Sequence, residues 1–175
     1  MYYRFLIGLL ITTTLLFCYT GRLYAAGSVE LIVFADKDEY TLGEPISLTF
    51  KLKNKGKDPV YVNNRMYLSS KEAPADQKDI YLSVISPEGE ELAYKTSYET
   101  GLPRTDHFIL LEPGGEIERE RKQGIKHLFD FEKTGKYKIT AVYQNVFGKE
   151  IGIDAFKEKI KSKPITIKIV EKEKE

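Results

Sequence analysis

Short runs of alternating apolar and polar residues, separated by turn residues, constrain the fold of this chain more than any other feature. In "ISLTFKLKN", Ile46, Leu48 and Phe50 fall on one face and polar residues fall on the other. This period-two alternation is expected of a β-strand that packs one face against a core. Similar runs are "VELIVFA", "VYVNNRMYL", "DIYLSVIS", "TGKYKITAVYQN" and "PITIKIVE". Together with turns about every ten residues, they predict an all-β sandwich of about seven to nine antiparallel strands.

Two turns, one charged strand and one long segment lead to further expectations. The turns "PEGE" and "PGG" each predict a hairpin between the strands that flank them. The charged strand "EIERERK" predicts an exposed sheet edge, where charge discourages aggregation. The segment 146–163 is left with two alternatives. Its residues Ile153, Phe156 and Ile160 have the spacing of one helix face, or the segment is a long loop that inserts Phe156 into the core.

The first 26 residues have the pattern of a secretory signal peptide. Arg4 precedes an uncharged run from Phe5 to Cys18, and small residues follow at Ala25 and Ala26. A basic start, a short apolar stretch and a small-residue cleavage site are typical of such signals. The apolar run is shorter than the ~20 residues of a membrane-spanning helix. We therefore expect export to the periplasm or the extracellular space. An uncleaved N-terminal anchor and lipid attachment at Cys18 are the alternatives.

Cleavage after Ala26 would leave a sandwich domain at 27–171 and a charged tail at 172–175. It would remove Arg4 and Arg22, so the 27 basic residues would fall to 25 against 26 acidic residues, and the formal net charge would change from +1 to −1. This balance argues against a nucleic-acid partner. Cleavage would also remove Cys18, the one cysteine of the chain. The exported domain is therefore expected to contain no disulfide.

The residues that usually carry catalysis or bind metals form no recognisable pattern. His107 and His127 are far apart in sequence, and the motifs HExxH and GxSxG are absent. Asp36, Asp38 and Glu39 lie close together and could hold calcium, but their spacing differs from that of a calcium-binding loop. The sequence therefore predicts a protein that is not an enzyme and has no catalytic residue, no metal site and no cofactor.

The stretch "TGKYKITAVYQN" predicts one specific feature of the immunoglobulin fold. In that fold a tyrosine near the start of strand F bonds back to upstream backbone and forms a tyrosine corner. Gly135 and Tyr137 fit this corner, and Tyr143 continues the inward face. Ile139 occupies the position where antibody domains carry a cysteine. We therefore expect Gly135, Tyr137, Ile139 and Tyr143 to be structural residues.

The order of these motifs resembles that of bacterial secreted immunoglobulin-like domains. The stretches that carry the resemblance are "YTLGEPISLTFKLKNKGKDPVYV", "LLEPGGEI", "TGKYKITAVYQN" and "KSKPITIKIV", which extend over nearly the whole chain after the signal. The chain also resembles the β-domain that precedes some secreted metalloproteases, and bacterial proteinase-inhibitor modules. The resemblance implies an immunoglobulin-like sandwich. It implies little about function, because the matching positions belong to strands and turns.

These observations lead to three functional hypotheses. The first is an exported, non-catalytic module that binds or assembles with a partner protein through its loops or a strand edge. The second is a secreted proteinase inhibitor with Arg104 as its anchor, on the loop "SYETGLPRTDHF". The third is a metal protein or enzyme of an unrecognised type. The candidate contact residues are Arg104, Phe147 and Phe156. The middle tyrosines Tyr61, Tyr67, Tyr81, Tyr94 and Tyr98 are either core residues or a recognition surface.

Overall fold

The computed structural model describes residues 28–97, 99–121 and 124–172, which form an all-β protein. The predicted signal peptide, residues 173–175 of the tail and Tyr98 lie outside the described residues. Within them there are ten strands, compared with the seven to nine expected. They are β1 (Val29–Ala35), β2 (Glu39–Thr41), β3 (Leu48–Asn54), β4 (Val60–Asn63), β5 (Ile80–Ile85), β6 (Phe108–Leu111), β7 (Glu116–Arg121), β8 (Gly135–Gln144), β9 (Lys159–Lys161) and β10 (Ile165–Val170).

The described residues contain no α-helix, only three single turns of 3₁₀-helix. These turns are Ala75–Gln77, Thr105–His107 and Lys149–Ile151. None of the helices in this part of the chain is long and apolar enough to cross a membrane.

The first sheet contains β1, β3 and β7 in the order β1-β3-β7, and all its pairs are antiparallel. The central strand β3 alternates buried and half-buried residues along its whole length, as its sequence predicts. Strand β7 is the predicted charged edge, because it pairs with β3 and with no other strand of the described chain.

The second sheet has the order β2-β10-β8-β5, and β9 pairs with the end of β8. The long strand β8 is its centre and pairs antiparallel with β5, β9 and β10. Strand β2 pairs parallel with β10. The prediction that all strands are antiparallel is therefore wrong for this pair. A short strand at a sheet edge can pair in either direction, because it contributes few hydrogen bonds.

The third sheet is the pair β4-β6, and it corrects one predicted hairpin. Strand β6 pairs with β4, whereas β7 pairs with β3 in another sheet. The turn at 113–115 therefore carries the chain between sheets instead of closing a hairpin. The side chain of Asn54 stabilises this arrangement, because its Nδ2 donates to the Leu111 carbonyl oxygen at 2.9 Å. The other predicted hairpin is present in short form, with a bridge between Ile85 and Glu91.

The first two sheets and the β4-β6 pair contribute to one hydrophobic core. Phe50 of β3, Ile139 of β8 and Val62 of β4 are all completely buried. Burial of apolar surface contributes roughly 25 cal/mol per Å², and this contribution stabilises a domain that has no disulfide after Cys18.

The segment 146–163 is a loop that contains one 3₁₀ turn and ends in β9. The helix alternative is therefore wrong. Phe156 lies fully buried in the core, and its amide donates to the Tyr61 carbonyl oxygen at 2.9 Å. Asn145 fixes the loop, because its Nδ2 donates to the carbonyl oxygens of Phe147 and Phe156, each at 2.8 Å.

Candidate functional site

A buried ion pair lies where the chain leaves β4 and enters β5. Arg65 is 5% exposed and Asp79 is 1% exposed, and their Nη2 and Oδ1 atoms are 2.7 Å apart. Asp79 also accepts hydrogen bonds from Asn63 Nδ2 at 2.9 Å and from the Tyr67 amide at 3.3 Å. Arginine and aspartate are rarely buried this completely unless they are paired.

This ion pair is costly for the fold. Burial raises the pKa of Asp79, and the bonds from Arg65, Tyr67 and Asn63 oppose that rise without cancelling it. Arg65 Nε is also buried without a hydrogen-bond partner among the described residues. Buried ion pairs often contribute little net stability, because removing both charges from water offsets their attraction. The position of Arg65 therefore suggests a role in positioning other groups.

Arg65 holds the base of an exposed loop. Its Nη1 donates to the carbonyl oxygens of Thr100 and Gly101 at 3.2 and 3.1 Å, and its Nη2 donates to Thr100 Oγ1 at 3.3 Å. Gly101 has a φ of 64°, a left-handed conformation that favours glycine. The turn at Gly101 directs the chain outward to the residues that follow.

The next residues form the most exposed part of this loop. Leu102 is 61% exposed, whereas Pro103 is buried. The side chain of Arg104 is 73% exposed, and it donates to both carboxylate oxygens of Asp106 at 3.1 and 2.6 Å. This contact lowers the pKa of Asp106. The loop thus presents one apolar and one cationic side chain, and the buried Pro103 lies between them.

A second arginine fixes the segment that follows β4. Arg121, at the end of β7, donates through Nη2 to the carbonyl oxygens of Arg65 and Met66 at 2.9 and 2.6 Å. Both guanidinium groups lie near the Tyr67 ring, with their Cζ atoms 5.6 Å (Arg65) and 5.2 Å (Arg121) from its centroid. Tyr67 is 47% exposed. Arg65 therefore connects Tyr67 to the loop, and we call Tyr67, Leu102 and Arg104 the loop surface.

The structure separates the three contact residues suggested by the sequence. Arg104 is exposed on the loop surface. Phe147 is half-buried. Phe156 belongs to the core and is fully buried, so it cannot contact a partner while the domain is folded. The sequence suggested Phe156 because it occupies a long loop, and loop position alone does not determine whether an aromatic residue points outward.

The tyrosine cluster is also divided by the structure. Tyr61 and Tyr67 are exposed, whereas Tyr81 is buried and Tyr94 packs on Phe129 with ring centroids 4.4 Å apart. Among the described residues, no group of three histidine, cysteine, aspartate or glutamate side chains is arranged to hold a metal ion.

Comparisons with known proteins add little to this description. No protein-family model and no curated protein matches the chain. One similar solved structure is the Pseudomonas fluorescens alkylpurine DNA glycosylase AlkC bound to DNA containing an abasic site analog. The identity is 12%, the match covers 81% of this chain and 30% of the glycosylase chain, and the TM-score is 0.36. A likeness this weak carries no argument about fold or function.

Proposed function

We propose that this chain is an exported, non-catalytic immunoglobulin-like module that binds a partner protein through the loop surface. The observation that carries the proposal is the pair of hydrogen bonds that buried Arg65 donates to the carbonyl oxygens of Thr100 and Gly101. These bonds anchor the loop backbone directly before the exposed residue Leu102. Binding residues on loops that a rigid scaffold positions are a common arrangement, and an ordered loop loses less entropy on binding.

The order of the strands and one hydrogen bond support the immunoglobulin-like part of the proposal. Strand β8 lies between β5 and β10, as strand F lies between C and G, and β3 lies between β1 and β7, as B lies between A and E. The Tyr137 hydroxyl donates to the Lys133 carbonyl oxygen at 2.9 Å, as a tyrosine corner requires. Gly135 has a φ of 129°, and a Cβ there would lie 2.8 Å from Pro87, so this corner favours glycine.

Export is supported by the signal-like start of the chain. In this proposal residues 1–26 are the signal, residues 27–171 are the binding domain and residues 172–175 are a charged tail. The partner is a protein of the periplasm or the cell surface. Leu102 would enter an apolar pocket on the partner, and Arg104 and Tyr67 would lie at the rim of the contact. Exposed arginine and tyrosine are both enriched at protein interfaces.

Site-specific crosslinking tests this proposal. A photo-reactive residue replaces Leu102 in one variant and Leu42 in a matched control, since Leu42 is also exposed but follows β2. We expect one discrete adduct at position 102 in intact cells, and none when Arg65 is also replaced by Met. Equal crosslinking at both positions, or no adduct at position 102, would contradict the proposal.

A proteinase inhibitor is the second candidate, and the exposure of Arg104 favours it. Its side chain is 73% exposed, and its backbone is extended, with a φ of −103° and a ψ of 167°, directly before the 3₁₀ turn Thr105–His107. The test is a panel of trypsin-type proteases, with Arg104→Ala as the matched variant. Inhibition by the native protein that is lost in the variant would favour the inhibitor. Absence of inhibition at micromolar protein would remove this candidate.

A further inference from the structure

The two larger sheets carry opposite charge on their solvent faces. On the sheet built around β8, alternation in β8, β9 and β10 directs five exposed lysines to solvent, and we call them the basic face. They are Lys136, Lys138, Lys159, Lys161 and Lys168. The one acidic strand residue on the same side is Glu39 of β2, which lies 2.7 Å from Lys168. Five cations and one anion give this face a formal charge of +4.

The outer side of the β1-β3-β7 sheet is different. It carries the acids Glu30, Glu116, Glu118 and Glu120 and the bases Lys51 and Lys53, a formal charge of −2. Its charges are paired across the strands, since Lys51 Nζ lies 3.0 Å from Glu116 and 2.7 Å from Glu118. No carboxylate of the described chain pairs in this way with Lys136, Lys138, Lys159 or Lys161. A chain of nearly zero net charge therefore concentrates uncompensated positive charge on one sheet.

The lysines are crowded at one end of the basic face. The Nζ atoms of Lys159 and Lys78 lie 5.3 and 5.2 Å from the centroid of the same Tyr81 ring. Burial, and then the charge of Lys159, lower the pKa of Lys78. The Tyr81 ring and the charge of Glu72, which opposes the fall in the pKa of Lys78, compensate the two cations only in part. A ligand with several negative charges would relieve the remaining repulsion.

The chain enters the fold beside these lysines. Val29 and Glu30, at the start of β1, line the same open cleft of about 500 Å³ as Lys159 and Lys161 of β9. In the sequence, 27 residues precede Ser28, and they include the apolar run from Phe5 to Cys18. In a chain that keeps this run as an anchor, the alternative to cleavage, β1 would begin near the lipid headgroups. The basic face would then lie next to an anionic surface.

We propose that the basic face binds peripherally to a bilayer that contains anionic phospholipid. The lysine ammonium groups would contact lipid phosphates without insertion, because the exposed strand residues on this face are all charged or polar. Clusters of lysine near an anionic membrane bind with an energy that adds up over the charges and is weakened by salt. This proposal does not depend on the loop surface, which lies on other elements.

Vesicle co-sedimentation tests the proposal with the full chain, which includes the apolar N-terminal run. The vesicles are phosphatidylcholine alone or phosphatidylcholine mixed with phosphatidylglycerol. Any insertion of the apolar N-terminal run is common to both, so the difference between the two vesicles reports on charge. We expect affinity for the mixed vesicles to be at least about tenfold higher at low salt, and the difference to disappear near 0.5 M salt.

Two variants with the same change in net charge show which face binds the vesicles. Lys138→Gln with Lys161→Gln should weaken binding to mixed vesicles by about tenfold, whereas Lys51→Gln with Lys53→Gln should leave it nearly unchanged. Thermal unfolding confirms that both variants are folded. Equal binding to the two kinds of vesicle would overturn the proposal, as would equal loss in both variants. Binding to an anionic polysaccharide but not to the mixed vesicles would also overturn it, because the occupant would be a glycan.

Discussion

At the scale of single residues, tyrosine hydroxyls form hydrogen bonds with backbone groups that have no strand beside them. Three of them each bond both the N–H and the C=O of one backbone residue. The pairs are Tyr94 with Leu82, Tyr137 with Lys133, and Tyr143 with Asn63. The N–H donates over 2.7 to 3.3 Å, and the hydroxyl donates to the C=O over 2.9 to 3.4 Å. Backbone groups that would otherwise lack a partner are satisfied in this way.

Removing these hydroxyls should have unequal effects on stability. Tyr143 and Asn63 are 0% and 1% exposed, so Tyr143→Phe leaves two buried backbone groups unpaired and should cost about 1–3 kcal/mol. Tyr137→Phe affects the exposed residue Lys133, where water can replace the hydroxyl, and should cost about 1 kcal/mol. Urea unfolding measures both values. An equal loss in the two variants would contradict the argument, because burial of the backbone partner would then have no effect.

The residues of the candidate site differ in how far the sequence could reveal them. Arg104 is predicted because a basic residue on the loop "SYETGLPRTDHF" could anchor a trypsin-type protease. Arg65 and Asp79 were not found, since charged residues are expected on the surface and nothing in "VNNRMYL" or "QKDIYL" indicates that they meet. The segment after Arg65 meets the start of β5 through a bridge between Leu68 and Ile80 and a hydrogen bond from the Ile80 amide to the Tyr67 carbonyl oxygen, and no local pattern in the sequence indicates this tertiary contact.

At the scale of whole elements, local pattern predicted the strands well and their partners poorly. The runs Val29–Ala35 and Leu48–Asn54 are strands as expected, because period-two alternation is a local property. The turn at 113–115 looks the same in sequence whether it closes a hairpin or joins two sheets. The outcome depended on Asn54, whose side chain binds the Leu111 carbonyl oxygen from 57 residues away. Strand pairing of this kind is determined by tertiary packing and not by the turn alone.

The loop at 146–163 provides a test at this scale. Phe156 is fully buried among core residues of other elements, so Phe156→Ala should cost about 3–5 kcal/mol. Phe147, in the same loop, is only half-buried. Its replacement by Ala should therefore cost less than about 2 kcal/mol. Chemical denaturation of the two variants compares them directly. A larger loss for Phe147→Ala would mean that the loop does not depend on Phe156 for its attachment to the core.

At the scale of the whole molecule, the chain has no cysteine after Cys18, and its buried tyrosines contribute to its response to alkaline pH. Burial raises the pKa of Tyr40, Tyr94, Tyr137 and Tyr143 above the ordinary value of tyrosine. Ionising any of these four side chains in the folded state would place a negative charge where burial has removed water, and for Tyr40 also beside the Asp36 carboxylate. All four therefore contribute to the same dependence of stability on pH.

The sign of this dependence follows from the direction of the shifts. A tyrosine of raised pKa stays protonated in the folded state while its unfolded form loses the proton above pH ~10. The stability it contributes is therefore complete below pH ~10 and is lost as the pH rises further. Each group should contribute a slope of at most about 1.4 kcal/mol per pH unit. Urea unfolding at a series of pH values, followed together with tyrosinate absorbance, measures this slope.

Tyr94→Phe is the matched variant for this measurement, because it removes one of the four titrating groups and keeps the ring that packs on Phe129. Its slope above pH ~10 should be shallower than that of the native protein by at most about 1.4 kcal/mol per pH unit. In the native protein, absorbance from the buried tyrosines should appear only as the fold is lost. If every tyrosine ionised while circular dichroism still reported a folded sheet, the buried hydroxyls would be accessible to hydroxide, and the bonds that they make to Leu82, Lys133 and Asn63 would not be stable features of the fold.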